Sequence, residues 1–318
     1  MAGLPLVTGA AGFAGSHLVE HLLAGQPEVA AWGNPGGHGL GPADPRVQWT
    51  AVDLLDRGAV TAALDALRPS VIYHCAGSAH VGESFGAPER ALRVNVLGTH
   101  HLLEGMREAA LSCPVLVTGS AMVYRNAPGP IDEDSPLGPS SPYGVSKLAQ
   151  DMLARRTTHA PVILVRPFNH AGPRQSPSYV TSSFALQIAE IEAGIRPPVL
   201  HVGNLDTRRD ITDVRDTVRA YRLLVERGHP GRPYNVCCGE AYRVGDLLDQ
   251  LVAMSHVAIA IEPDPSRLRP SDNPIVHGSY ARLERETGWK PAIPMSRTLG
   301  DLLDYWRVQT RTAGARRA

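Results

Sequence analysis

"TGAAGFAG", residues 8–15, joins a short apolar run, "LPLVT" (4–8), to "FAGSHLVEHLLAG" (13–25), whose apolar spacing is helical and ends at Gly25. The flanks make it a strand–turn–helix. Gly9, Gly12 and Gly15 permit a tight turn and close backbone approach. The helix that opens at Phe13 presents unpaired N–H groups to a pyrophosphate. Such glycine spacing also arises in plain strand-to-helix turns, but here it begins a repeating β/α pattern. The expectation is a dinucleotide site built on Gly9, Gly12, Phe13 and Gly15.

Outward from that turn the alternation continues. Further strands are expected at "EVAAW" (28–32), "VQWTAVD" (47–53), "SVIYHCAG" (70–77), "PVLVTGS" (114–120) and "PVILVRPFN" (161–169). Helices are expected at 56–68, 88–110 and 143–159. Continuous apolar strands separated by helices indicate an α/β protein with a Rossmann-type, doubly wound parallel sheet covered on both faces. "GNPGGHGLGP" (33–42) reads as a loop. Beyond about residue 168 the alternation becomes irregular, with a long helix near 178–194 and many Pro and Gly. The expected division is a dinucleotide-binding domain over 1–167 and, over 168–318, a smaller α/β substrate lobe with some segments returning to the sheet.

Composition narrows the function classes. The 318 residues are 43% hydrophobic and 19% charged, and 31 Lys plus Arg balance 31 Asp plus Glu. No global field draws the chain to nucleic acid or an anionic membrane, and no apolar run approaches ~18 residues. The apolar strand begins by Leu4, so no signal peptide is expected and the expected location is cytoplasmic. Four cysteines (Cys75, Cys113, Cys237, Cys238) lack metal-ligand spacing, and Cys237-Cys238 reads as alternating strand positions. No metal is expected.

The second strand ends at Trp32-Gly33-Asn34, where an acid would bind the adenosine ribose and repel a 2′-phosphate. Its absence leans towards NADP(H), with NAD(H) also open. Asp53, with Leu54 beside it, ends the third strand and suits either the adenine edge or a cap for helix 56–68.

"YGVSK" (143–147) sets Tyr143 and Lys147 four residues apart, on one face of a helix. A phenol with a pKa near ~10 is a poor proton carrier at neutral pH. A nearby ammonium favours its phenolate form, and the same lysine can bind the nicotinamide ribose.

Together "TGAAGFAG", "YGVSK" and Ser120 resemble the extended short-chain dehydrogenase/reductases that act on nucleotide-activated sugars, from residue 4 to about 306. "RPFNHAGPRQ" (166–175), "GNLDTRRDITDV" (203–214), "YNVCCG" (234–239) and "TGWKP" (287–291) are similar to the branch of GDP-mannose 4,6-dehydratases and GDP-4-keto-6-deoxymannose reductases. The resemblance implies Ser120 holding the substrate oxygen, Tyr143 as acid/base and Lys147 as its activator. It implies further cofactor contacts from Ala76, Gly77 and Arg166, with Asn95 a structural position on the cofactor side. Substrate contacts would come from His80, Met122 and Asn169, while Arg174, Arg209 and Arg269 would hold the phosphates of a GDP-linked hexose.

In dehydratases of this family a Glu lies two residues after the catalytic Ser/Thr; here Met122 stands there, with no transferable proton. Reduction of a C4 ketone needs hydride, a proton from Tyr143 and a hydrogen bond from Ser120. These groups serve reductase and epimerase alike; the second-half resemblance implies NAD(P)H-dependent reduction of a GDP-4-keto-6-deoxyhexose, and Met122 disfavours a 4,6-dehydratase. A 4-epimerase using the same three groups is the alternative, since "SAMVY" has the epimerase-like form. A non-enzymatic sensor is disfavoured because Tyr143 and Lys147 are both present. Helices 88–110 and 143–159 would lie side by side, and the resemblance implies a homodimer through a four-helix interface built from such a pair, with Leu97, His101, Leu148 and Met152 at the interface or in the core.

Overall fold

In the computed structural model, which describes residues 3–37, 39, 41–267 and 274–315, the opening apolar run is β1 (Pro5–Thr8), buried along its whole length. There follow α1 (Phe13–Leu23), β2 (Val29–Gly33), β3 (Val47–Ala51), α2 (Arg57–Leu67) and β4 (Val71–His74). Short helices α3 (Val81–Gly86) and α4 (Pro88–Leu92) lead through a π-helical turn (Arg93–Leu97) into α5 (Gly98–Glu108). Next are β5 (Val115–Thr118), a 3₁₀ turn (Ala121–Val123), α6 (Pro142–Arg155) and β6 (Val162–Pro167). The single helix expected over 88–110 is thus three pieces. At the wide turn Asn95 is fully buried and its amide binds both Ser78 and Ser146.

The remaining elements are β7 (Asn169–Ala171), α7 (Val180–Glu192), β8 (Val199–Val202), β9 (Arg208–Asp213), α8 (Val214–Arg227) and β10 (Pro233–Val236). Then come β11 (Ala241–Arg243), α9 (Val244–Ala253), β12 (Ala260–Pro263), β13 (Ile275–Val276), α10 (Ala281–Thr287) and α11 (Met295–Ala315). The expected strand 161–169 is divided at Phe168, whose N–H bonds Val236. Cys237 and Cys238 lie just past β10 rather than within a strand.

Seven parallel strands form the main sheet in the order β10-β6-β5-β4-β1-β2-β3. The doubly wound sheet expected from sequence is present, and its physical cause is visible in the strand alternation. Leu6, Ile72, Val115, Val117 and Leu164 pack on one face with Val60, Leu64, Leu102 and Met106 of α2 and α5. Their strand neighbours Val7, Tyr73, Leu116, Ile163 and Val165 pack on the other with Leu18 and Leu22 of α1 and Val218 and Leu224 of α8. Side chains alternate at period two, so a strand covered on both faces must be apolar throughout. The edge strand β3 is the exception, with every residue after Val47 exposed.

A second core joins α7, α9 and α11 through Phe184, Ile188, Leu247, Leu251, Leu299 and Leu303, beside β8 and β9. In a small sheet β9 pairs with β7, β11 and β13. No helix among the described residues is long and apolar enough to cross a membrane.

Candidate active site

From β1 the chain moves to β2 and β3 on one side and returns to β4 on the other. In such sheets the crevice beyond the strand ends at this switch is where ligands bind. Gly9 ends β1 with φ +67, and a Cβ there would meet the Ala76 backbone at 2.6 Å. A Cβ on Gly15 would lie 2.1 Å from the Gly9 carbonyl. These two glycines are required by the turn's own packing. Gly12 is different: it is exposed, it caps α1 without a side chain, and its Cβ would meet only the Gly9 carbonyl, at 3.2 Å. The α1 N-terminus therefore offers N–H groups on an open backbone surface, which fits a dinucleotide pyrophosphate. Phe13 stacks on His170, with ring centroids 5.5 Å apart.

Asp53 is exposed beyond β3 and accepts from the Leu55 N–H at 2.9 Å, while Asp56 is the residue that caps α2. The Leu54 carbonyl accepts from His101 at 2.8 Å. Beyond β4, Ala76 and Gly77 reach the same crevice. A Cβ on Gly77 would lie 2.8 Å from Asn95 Oδ1 and 3.3 Å from Lys147 Nζ.

"SPYG" sets the start of α6. Pro142 at its first turn lacks an N–H, the Tyr143 N–H donates to Ser84 Oγ at 3.1 Å, and the Gly144 N–H donates to the Ser141 cap at 3.0 Å. These capped donors fix the helix rotation, burying Tyr143, Ser146, Lys147, Gln150 and Asp151 on one face. Ser120, just past β5, caps the 3₁₀ turn and accepts from the Met122 N–H at 3.1 Å.

Burial pushes the Tyr143 phenol up to about 12, opposed by a hydrogen bond with Ser120. Burial also lowers the Lys147 ammonium to about 8. Lys147 Nζ donates to the Thr118 carbonyl and to Gln150 Oε1, each at 2.9 Å. Ser120 is the neighbour whose hydrogen bond draws the phenol's pKa back down against that burial.

Arg166 is not brought to this crevice. It is 1% exposed, donates to Asp151 at 2.8 Å and to the Tyr124 hydroxyl at 2.9 Å, and lies over the Tyr124 ring. Tyr124 in turn donates to Asn235 Oδ1 at 2.7 Å, so this second hydroxyl of the loop is a packing group. Arg174 stands at φ +74 and pairs with Glu20 of α1 at 2.6 Å and with His17 at 2.7 Å. Its guanidinium is thereby held against α1, and Arg174 lines one cavity together with Phe13 of the glycine turn. Arg209, on β9, donates to the carbonyls of Arg208 and Pro274, and burial lowers its pKa. His80 caps α3 and packs edge-on against Tyr179; Asn169 is exposed at the start of β7. Arg269 lies outside the described residues.

Sequence reasoning missed Ser84, Tyr179 and the buried group behind Lys147 formed by Gln150, Thr99 and His74. Gln150 alone carried a signal, one helical turn from Lys147. The others meet across 25 residues or more of chain.

A glycine turn at the switch point of a seven-stranded parallel sheet, with Ser120, Tyr143 and Lys147 beyond neighbouring strands, defines an extended short-chain dehydrogenase/reductase, an NAD(P)-dependent enzyme. A family model described as GDP-mannose 4,6 dehydratase matches residues 6–302, and the chain belongs to that family. It is 36% identical over 311 residues to the GDP-6-deoxy-D-mannose reductase of Pseudomonas aeruginosa, covering 96% of this chain and 97% of the relative. UDP-glucose 4-epimerase 4 of Oryza sativa is 30% identical over 317 residues, covering 90% of this chain and 85% of the relative. A solved structure of RMD from Pseudomonas aeruginosa complexed with NADPH superposes with TM-score 0.85 at 34% identity, covering 97% of this chain and all of that one.

Proposed function

We propose that the protein uses NAD(P)H to reduce the C4 ketone of a GDP-4-keto-6-deoxyhexose. The observation that carries this reading is that Ser120 just past β5 and the buried Tyr143 and Lys147 of α6, the lysine bonded to the Thr118 carbonyl at the end of β5, stand together at the strand ends, while Met122 holds the place of a dehydratase acid. The likeness to a GDP-6-deoxy-D-mannose reductase over nearly the whole chain supports it.

Bound beside Gly9, Gly12, Phe13, Gly15, Ala76 and Gly77, NAD(P)H would supply a hydride to the C4 carbonyl carbon. The protein's own part is proton delivery and charge control. The Ser120 oxygen accepts from the Met122 N–H, and its hydroxyl hydrogen would be donated to the substrate's carbonyl oxygen. Held near 12, the Tyr143 phenol retains its proton at neutral pH and can deliver it to the carbonyl oxygen. Lys147, whose pKa of about 8 leaves it largely cationic at neutral pH, stabilises the resulting phenolate. Asn169, His80 and Arg209 would face the sugar and its diphosphate.

The preferred cofactor is NADP(H), since Gly33 ends β2 with no acid to repel a 2′-phosphate. Residues 1–167 would carry the cofactor, and 168–318 mainly the nucleotide sugar. The enzyme would be a cytoplasmic homodimer. The test is to mix protein, NADPH and GDP-4-keto-6-deoxymannose. Cofactor oxidised one for one with ketone lost is expected. A C4 isomer formed without net oxidation would instead establish an epimerase.

A further inference from the structure

From Lys147 a polar chain runs through the interior. Lys147 Nζ donates to Gln150 Oε1 at 2.9 Å, and Gln150 Nε2 donates to Thr99 Oγ1 at 2.7 Å. Thr99 Oγ1 lies 2.9 Å from His74 Nε2, and His74 Nδ1 lies 2.8 Å from Thr8 Oγ1. Lys147 is 4% exposed, Thr8 1%, and Gln150, Thr99 and His74 are fully buried.

The hydrogens in this chain have one self-consistent assignment. An ammonium can only donate, so Gln150 meets Lys147 with its oxygen and donates onward with its amide nitrogen. Thr99 has a single hydroxyl hydrogen, which goes to the Asn95 carbonyl at 2.7 Å. Its oxygen must therefore accept from both Gln150 and His74. That places the imidazole hydrogen on Nε2 and leaves Nδ1 to accept from the Thr8 hydroxyl. Turning any member over would strand a buried polar group without a partner.

Thr118 and Gln150 take two of the three ammonium hydrogens of Lys147. The side of the amine towards Gly77, where a Cβ would lie 3.3 Å from Nζ, is the direction left for the third. We propose that Gln150, Thr99 and His74 are positioning residues that hold the Lys147 amine in one orientation, its remaining N–H facing the Gly77 loop. The proposal rests on the reading of Lys147 as the partner of Tyr143 and deepens it. None of the three touches the reacting atoms; they act through the lysine.

Thr99→Val keeps the side-chain shape and removes the hydroxyl on which the chain converges, whereas Thr99→Ser keeps the hydroxyl. With a 4-keto sugar nucleotide and NADPH, Thr99→Val is expected to lower kcat between about tenfold and a hundredfold. KM for the keto sugar should stay within about twofold, because the loss falls on orientation and not on substrate binding. Thr99→Ser should recover most of the loss, and Gln150→Leu should reproduce it. In wild-type protein, nitrogen NMR of labelled histidine should show His74 with its hydrogen on Nε2. A hydrogen on Nδ1 overturns the proposal, as do folded Thr99→Val and Gln150→Leu variants with unchanged kcat. If those variants are unchanged while Lys147→Met abolishes turnover, positioning fails and the role of Lys147 stands. If Lys147→Met and Tyr143→Phe also turn over normally, the reading of the site itself fails.

Discussion

The backbone N–H of Met122 donates to the hydroxyl oxygen of Ser120 at 3.1 Å. Residue 122 thus orients the serine through its main chain, and its side chain has no share in that bond. Met122→Leu is therefore expected to keep kcat within about threefold of wild type, as volume-conserving apolar swaps are well tolerated. Ser120→Ala, which deletes the donor proposed for the developing oxyanion, should lower kcat by roughly 10²–10³-fold. Steady-state kinetics on the two variants check both.

Tyr143 is 8% exposed and its phenol is held near 12, which suits the proton donor we propose for ketone reduction. Tyr143→Phe keeps the ring that fills the site and deletes the proton. Cofactor affinity, followed by nicotinamide fluorescence, should remain within about threefold, while kcat falls by about 10²–10⁴-fold. Near-normal turnover would remove Tyr143 from the mechanism.

The features legible in the sequence were those written locally. The glycine turn and the four-residue step from Tyr143 to Lys147 are fixed by one turn and one helix, and both appear where the residues put them. Arg166 misled because "PVILVRPFN" does not say what its one charged side chain will meet; the buried partner Asp151 comes from α6. Arg174 misled for a similar reason, since its left-handed backbone turns the guanidinium to Glu20, more than 150 residues earlier. The His74–Thr99–Gln150 chain depends on the packing of α5 and α6 against β4, which no periodicity encodes.

Gly12 and Gly15 should separate cofactor binding from folding. Gly15→Ala would place a Cβ 2.1 Å from the Gly9 carbonyl, a contact that must displace backbone, so stability should fall by several kcal/mol. Gly12→Ala meets the same carbonyl at 3.2 Å on an exposed surface, which small shifts can accommodate. Thermal unfolding of Gly12→Ala should resemble wild type, whereas its KM for the dinucleotide should rise about tenfold or more, because the added methyl stands between the backbone and the pyrophosphate. Unchanged KM would move the pyrophosphate away from this turn.

His17, buried beneath Arg174, gives stability a defined pH dependence. Burial first, then the Arg174 charge, lowers its pKa from 6.5 to about 4. Between those values the unfolded chain binds a proton that the folded chain refuses, so stability falls as pH drops from 6.5 towards 4. At pH 5 this one group accounts for about 2 kcal/mol. His17→Gln should therefore lose less stability than wild type between pH 7 and pH 5 in denaturant titrations. Parallel losses in both proteins would show that His17 is not the group being protonated.

The proposed dimer has a surface that can be tested without touching the site. Leu97 in the π-helical turn is 44% exposed, and Val145 and Met152 on the outer side of α6 are 48% and 59% exposed. Scattered apolar side chains on a surface need no partner, but these belong to two segments packed against each other, with Leu92 of α4 also exposed. His101 and Leu148 turn inward instead, to the Leu54 carbonyl and to the cluster around Val123 and Phe168. An apolar face shared by adjacent helices suits contact with a second copy. Wild type should sediment at twice the 34.1 kDa chain mass. Met152→Glu places a charge in the middle of that face, costs little in the folded monomer because the side chain is exposed, and should shift the protein to the monomer mass at micromolar concentration. A wild-type monomer, or a dimer indifferent to Met152→Glu, would move the interface elsewhere or abolish it.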